Sequence, residues 1–227
     1  MKIAIISDIH GNIDGLNAVL KDVGNVDMIL CAGDLTGYYP FINEVIDKVK
    51  KNNIITIKGN HDKYLVDSRA PEDASDKVKQ SVDYIKKIIS SENLEYLKSL
   101  PDCFDNKIDN KRVLMYHASP WDIFEERIYP DYNHFEKFDK INVDVLILGH
   151  THYPMVKQID SLTLINPGSC VQPRDYNLLS YVMWDTEDNT FENRRLEWDI
   201  DEFIHKSLEK GVDLKLFKVF DRIKKLD

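Results

Sequence analysis

Short apolar runs rich in Ile and Val recur along the chain, and each is closed by residues with chemistry to offer. Lys2–Ser7 runs into Asp8 and His10, Met28–Ala32 passes Gly33 into Asp34, and Ile54–Lys58 passes Gly59 into Asn60. Val113–Tyr116 ends at His117, and Val145–Leu148 passes Gly149 into His150 and His152. Runs this short and this continuously apolar predict strands buried on both faces. Between the first three strands the period lengthens to that of a helix. Ile13, Leu16, Leu20 and Val23 share one helical face, and Phe41, Val45, Ile46 and Val49 share another. The step from Asp8 to Asp34 is 26 residues, and the step from Asp34 to Asn60 is again 26. A strand, a crossover helix and two turns fill such a step, so the pattern predicts consecutive βαβ units with parallel strands. Ligands of such sheets gather beyond the carboxyl ends of the strands, which brings Asp8, Asp34 and Asn60 to one edge.

The rest of the chain is more mixed. Lys77–Ile89, with Val78, Val82, Ile85 and Ile89 at helical spacing, predicts a helix, and Leu94–Leu100 a further one stopped by Pro101. Asp67–Asp76, with Pro71 and several acidic side chains, reads as an exposed loop. Met155–Ile159 and Leu162–Ile165 flank an Asp160–Ser161 turn and predict a hairpin; Leu179–Asp185 and Thr190–Trp198 predict a second pair. Leu216, Phe217, Phe220 and Ile223 mark a closing amphipathic helix. With no repeat beyond the two βα units and no linker, the expectation is one domain over 1–227, with an accessory helical segment at about 199–227.

Composition narrows the function. The 227 residues are 43% hydrophobic, which excludes a disordered chain, and no apolar run approaches a membrane span. Asp8 and His10 interrupt the first apolar stretch, so no secretory leader is expected. Cys31, Cys103 and Cys170 are odd in number and form no CxxC pair, which reads as reduced thiols of a cytoplasmic protein. A net charge of −9, from 30 basic and 39 acidic side chains, argues against stable nucleic-acid binding. It leaves room for a phosphate-bearing substrate, because a local metal site reverses the local field.

Asp8, His10, Asp34, Asn60, His117, His150 and His152 are the candidate metal ligands. Any one has an ordinary explanation as a cap, a turn residue or a core histidine; seven together at strand ends do not. Seven oxygen and nitrogen donors exceed one tetrahedral site, and a carboxylate such as Asp34 bridges two cations in two-metal hydrolytic sites. Two divalent ions, two aspartates and one hydroxide leave net positive charge, suited to a phosphate oxygen. The neutral amide of Asn60 preserves that excess. Donors of this mixture fit Mn²⁺, the leading expectation, and also Fe²⁺, Co²⁺, Ni²⁺ or Zn²⁺.

Asp8-x-His10, Gly33-Asp34, Gly59-Asn60-His61-Asp62, His117 and Gly149-His150-Thr151-His152 resemble the complete motif set of the calcineurin-like metallophosphoesterases. Asn166-Pro167-Gly168-Ser169 with Gln172-Pro173-Arg174-Asp175 is similar to their small prokaryotic phosphodiesterase branch. The resemblance implies an α/β fold, a four-layer αββα sandwich. It assigns Asp8, His10, Asp34 and His152 to one ion, and Asp34, Asn60, His117 and His150 to the other. It implies hydrolysis of a small, nucleotide-like phosphodiester or phosphomonoester by a dimetal-activated hydroxide. His61 is then the catalytic acid for the leaving oxygen; the plainer reading is a turn histidine that orients Asn60. In the protein-phosphatase branch an Asp three residues after the bridging aspartate orients that acid, whereas Gly37 stands here.

Arg174 reads either as a substrate-phosphate clamp or as half of an ion pair with a neighbouring Asp. Trp121, Phe124, Tyr129, Tyr132 and Phe135 read either as a lid on which a base stacks, or as packing against the body or a second copy in a homo-oligomer. Tyr38 and Tyr39 share that ambiguity, and Asn166-Pro167-Gly168 reads as a turn bordering the site. The competing classes are a protein phosphatase or nuclease on the same chemistry, and a catalytically weak protein-interaction scaffold.

Overall fold

The computed structural model describes residues 1–221, and two five-stranded sheets organise it. The chain runs β1 (Lys2–Ile6), α1 (Ile13–Val23), β2 (Met28–Cys31), α2 (Ile42–Lys51), β3 (Ile55–Thr56), α3 (Asn60–Val66), α4 (Asp76–Ile88) and α5 (Ser91–Ser99). It continues through β4 (Cys103–Ile108), β5 (Lys111–Tyr116), a 3₁₀ helix (Phe135–Lys140), β6 (Val145–Ile147), β7 (Pro154–Ile159) and β8 (Leu162–Pro167). The last elements are β9 (Leu179–Asp185), β10 (Thr190–Leu196), α6 (Ile200–Glu209) and a second 3₁₀ helix (Leu214–Asp221). One sheet has the order β10-β9-β1-β2-β3, the other β4-β5-β6-β8-β7.

The expected βαβ units are present: β1 pairs parallel with β2, and β2 with β3. In the second sheet β5, β6 and β8 are parallel, with β4 and β7 antiparallel at the edges. Strand periodicity sorts side chains into layers. Ile3 and Ile5 of β1 meet Val113 and Met115 of β5 and Val145 and Ile147 of β6 between the sheets. Ala4 and Ile6 turn the other way, onto Leu16 and Val19 of α1 and Val45 and Val49 of α2. On the far side of the second sheet, Leu114, Leu146 and Leu164 lie under Ile128, Phe138 and Val143. The expected four-layer αββα sandwich is therefore observed, with a thin outer layer on this side, built from the 3₁₀ helix and the aromatic segment before it. Among the described residues no helix is long and apolar enough to cross a membrane.

Five elements differ from the sequence reading, two of them, α3 and the 3₁₀ helix Phe135–Lys140, because no helix was expected there. Strand β4 was not expected: its exposed Asp105, Asn106 and Lys107 suit a sheet edge and lack apolar alternation. Its turn to β5 runs through Asp109 and Asn110, both at positive φ, the conformation two-residue hairpins require. Strand β3 is shorter than Ile54–Lys58, because only Ile55 and Thr56 find partners at that edge. The closing helix is a 3₁₀ turn whose Phe217 and Phe220 stack on Tyr39 beside Phe203 of α6. Ile223 and the rest of 222–227 lie outside the described residues.

Candidate metal centre

The loops after β1, β2 and β3 are zipped into one unit. Asp8 N–H donates to Gly33 O at 3.0 Å, and Ile9 and His10 N–H both donate to Asp34 O, at 2.8 and 2.9 Å. Asp34 Oδ1 accepts the His61 N–H at 2.9 Å. The buried Asp62 carboxylate accepts from Leu35 (3.2 Å), Thr36 (2.9 Å) and Gly59 (3.0 Å), tying the second loop to the third. Burial, reinforced by Asp34, pushes its pKa up to about 6. The second sheet joins through His150 N–H, which donates to Asp8 Oδ2 at 3.1 Å, and Asn166, which donates to Gly149 O (2.6 Å) and Thr151 Oγ1 (3.0 Å). Asn166 thus holds the loop that carries His150 and His152; contrary to the expected turn, Asn166 and Pro167 close strand β8, paired with Met155 and Pro154 of β7.

Five of the seven candidate ligands adopt a conformation that L-residues avoid: φ is 56° at Asp8, 48° at His10, 58° at Asp34, 64° at His150 and 60° at His152. Strain of this kind persists only where surrounding contacts over-determine it, and it concentrates at functional sites. Space is also tight. A Cβ on Gly59 would lie 2.1 Å from Asp34 Oδ1, and one on Gly149 2.2 Å from Ser7 Oγ.

The hydrogen bonds settle how the imidazoles present themselves. His10 Nδ1 lies 2.8 Å from Thr36 O, His117 Nδ1 2.7 Å from Ala32 O and His152 Nδ1 2.9 Å from Gln172 O. A carbonyl only accepts, so each Nδ1 carries a proton and, in the neutral ring, each Nε2 presents a lone pair. His10 Nε2 and His152 Nε2 face each other at 3.0 Å. Asp8 Oδ1, buried and without a hydrogen-bond partner among the described residues, lies 3.3 Å from His152 Nε2 and 3.8 Å from His10 Nε2. Asn60 donates its amide to Tyr64 Oη at 3.1 Å, which turns Oδ1 toward His117 Nε2 (2.9 Å) and His150 Nδ1 (3.1 Å). Asp34 Oδ2 stands between the groups, 3.7 Å from His10 Nε2 and 3.3 Å from His117 Nε2.

Such a crowd of acceptors is stable only around positive charge. Burial works to raise the Asp8 pKa, but His152 and His117 outweigh it and hold it at about 2; the imidazoles, His117 foremost, likewise carry Asp34 well below the carboxylate range. Burial lowers His10 and His150 to about 3, leaving them neutral. His117 goes the other way, to about 9, because the Asp34 carboxylate overcomes the penalty of burial. Ionised carboxylates and neutral imidazoles are the states metal binding needs; Asp8, Asp34, His10 and His150 already meet it, and His117 would give up its proton to a cation beside Asp34. Two nitrogens bound at right angles to one cation, each at about 2.1 Å, sit about 3 Å apart, which the His10–His152 pair matches. The residues fit a metal pair, and all seven expected ligands come together, in two groups that share Asp34.

His61 is buried beside them, its ring 4.9 Å from His10 and 4.8 Å from Tyr38, with Nδ1 unpartnered among the described residues. Gly37 explains part of this. At φ +132°, a Cβ there would lie 2.4 Å from His10 Nδ1 and 3.2 Å from His61 Nδ1, so an orienting carboxylate has no room. His61, Asn60, Tyr38 and Arg174 open onto a cavity of ≈ 320 Å³. The neighbouring Asp175 is taken by Arg195 through two bonds of 2.7 and 2.8 Å, so Arg174 does not form the ion pair with it. Tyr39 is instead buried, accepting from Gln172 at 2.8 Å. The aromatic segment divides: Tyr132, Phe135 and Trp121 pack around Phe138, while Glu125 reaches the cavity and accepts the Tyr64 hydroxyl.

Sequence reasoning missed Asp62 as a clasp, Tyr64 and Arg127. Tyr64 stands four residues after Asn60 on α3, a spacing that signals contact once the helix start is known. Nothing local marks Arg127, which lines the cavity from the segment 116–135.

A family model described as the calcineurin-like phosphoesterase superfamily domain matches residues 1–189. An uncharacterized protein of Methanocaldococcus jannaschii, MJ0912, is 35% identical over 94% of this chain and 93% of its own length. Phosphodiesterase MJ0936 of the same organism is 26% identical over 75% of this chain and 84% of its own. Among solved structures, a metallophosphoesterase from Sphaerobacter thermophilus superposes with a TM-score of 0.82 at 28% identity, covering 97% of this chain and 98% of that one. The hypothetical protein PH1004 from Pyrococcus horikoshii OT3 reaches 0.85 at 21% identity over 96% and 97%, a likeness of fold alone.

Proposed function

The chain belongs to the calcineurin-like phosphoesterase superfamily, a metal-dependent family of phosphate-ester hydrolases, and from that premise we infer that it hydrolyses a small phosphodiester or phosphomonoester at a two-metal site. One observation carries the reading: buried His10 and His152 bring their Nε2 atoms to 3.0 Å from each other, each with Nδ1 held by a backbone carbonyl, and the unpartnered Asp8 Oδ1 lies alongside. Asp8, His10, Asp34 and His152 would hold one cation, and Asp34, Asn60, His117 and His150 the other, with Mn²⁺ the leading expectation for both. When bound, the pair supplies Lewis acidity toward phosphoryl oxygens and a water acidic enough to attack phosphorus near neutral pH.

The chain's own groups do the rest. Three backbone carbonyls orient His10, His117 and His152, and the Tyr64–Glu125 pair orients Asn60. His61 delivers a proton to the leaving oxygen as the bond from phosphorus to that oxygen breaks. Burial lowers its pKa in the free protein, and a phosphate bound beside it reverses that field and favours the protonated ring. Arg174 meets phosphate oxygens with its planar fork. The absence of room for a carboxylate at Gly37 argues against specialised protein-phosphatase chemistry.

The test is turnover of bis-p-nitrophenyl phosphate and p-nitrophenyl phosphate by the metal-free protein before and after Mn²⁺ is added. Metal-dependent release of nitrophenol is expected. A protein that binds two equivalents of Mn²⁺ and releases none from either ester would be the scaffold instead.

A further inference from the structure

The described residues include six arginines, and four of them face carboxylates: Arg69 on Glu72 at 3.9 Å, Arg112 on Asp105 at 2.8 Å, Arg194 on Glu192 at 2.9 Å and Arg195 on Asp175 at 2.7 Å. The two without a carboxylate or hydrogen-bond partner for the side chain among the described residues, Arg127 and Arg174, both line the cavity over the metal centre. In a chain with 39 acidic side chains against 30 basic ones, a guanidinium without a carboxylate is the exception, and here both exceptions share one pocket.

The chain on either side of each is held, although Arg127 itself is exposed. Arg174 N–H donates to His152 O at 3.1 Å, and the carboxylate next to it is already occupied by Arg195. Around Arg127, Glu125 accepts from Tyr64, Glu126 accepts from Ser119 and Ile128 is buried. They come from separate stretches of the chain: Arg174 follows the strand-end loop of His152, Arg127 belongs to the segment between β5 and the first 3₁₀ helix, and both line the cavity together with Tyr38 and His150. Acidic groups also face the cavity. Glu125 is engaged by Tyr64, and Asp73 is exposed at the rim. The phosphate under attack already has the metal centre to balance its charge, so two further guanidiniums in the same cavity call for further anionic charge on the substrate. Planar forks bind phosphate through paired charge-assisted hydrogen bonds.

The geometry points to Arg127 and Arg174 as a clamp for a second phosphate adjoining the one under attack. The substrate class is then a small molecule with linked phosphates, such as a nucleoside polyphosphate or a dinucleoside polyphosphate, in preference to a simple monoester. This rests on the phosphoesterase reading above and deepens it.

Calorimetry on the Mn²⁺-loaded protein, freed of excess metal, tests the clamp with inorganic pyrophosphate and inorganic phosphate as probes. Pyrophosphate is expected to bind at least about tenfold tighter than phosphate, and Arg127→Ala or Arg174→Ala to weaken pyrophosphate about tenfold and phosphate only about twofold. Arg→Lys variants, which keep charge and lose the fork, are expected to recover part of the difference. Equal affinity for the two probes in the wild type, or a pyrophosphate preference that survives the double alanine variant, overturns the clamp. Turnover of p-nitrophenyl phosphate in the same samples separates the two ideas. Activity without a pyrophosphate preference leaves the phosphoesterase standing and removes the clamp, whereas a metal-loaded protein inert to esters removes the phosphoesterase reading.

Discussion

The floor and the wall of the cavity are built differently. The floor consists of the loops after β1, β2, β3, β5 and β6. It is buried, crossed by backbone hydrogen bonds between loops, and strained at five positions. The wall consists of the loop after α3, the segment around Glu125 and Arg127, and Arg174; it is mostly half-buried or exposed. A floor that must hold charges at fixed separations tolerates no slack, because a displaced donor leaves another buried and unpaired. A wall that meets substrate can vary, and loops carried on a rigid base are where proteins vary.

This contrast predicts a gradient of effects. Asp34→Asn should strike hardest, because one carboxylate oxygen serves both donor groups: turnover is expected to fall on the order of a thousandfold with loss of bound metal, read by elemental analysis beside the nitrophenol assay. His61→Ala should lower turnover by about 10²- to 10³-fold with metal content unchanged; parallel loss of both would make His61 structural. Gly59→Ala drives a methyl group into Asp34 Oδ1. It is expected to cost about 1–3 kcal/mol, which thermal unfolding would show as a Tm lowered by roughly 2–4 °C per kcal/mol. Tyr64→Phe frees the Asn60 amide to rotate and should weaken metal binding about tenfold or more in a Mn²⁺ titration, with little change in Tm for the metal-free protein. At the wall, Asp73→Ala is expected to change stability by no more than about 0.5 kcal/mol and to leave metal content intact; a large loss of either would erase the distinction between floor and wall.

Much of the floor was legible because its residues sit where strands stop. In a parallel sheet, stopping points converge, so Asp8, Asp34 and Asn60 could be gathered from spacing alone, and His117, His150 and His152 joined them by the same rule. The wall was not legible. Tyr64 meets Glu125 across 61 residues, and Arg127 meets the cavity through a loop with no periodicity to read. Strand β4 escaped for a related reason: an edge strand with polar faces carries none of the alternation that betrays a half-buried one.

The paired βα units and the seven donors at strand ends were determined by the sequence itself, since hydrophobic period and residue chemistry are local properties. Which imidazole nitrogen faces inward, that Asp62 clasps two loops, that Asp175 belongs to Arg195 and leaves Arg174 facing the cavity, and that Gly37 has no room for a side chain were decided only in the tertiary structure. Each of these depends on what a group meets from a distant part of the chain, and hydrogen-bond partners and free volume exist only once the two sheets have closed on one another.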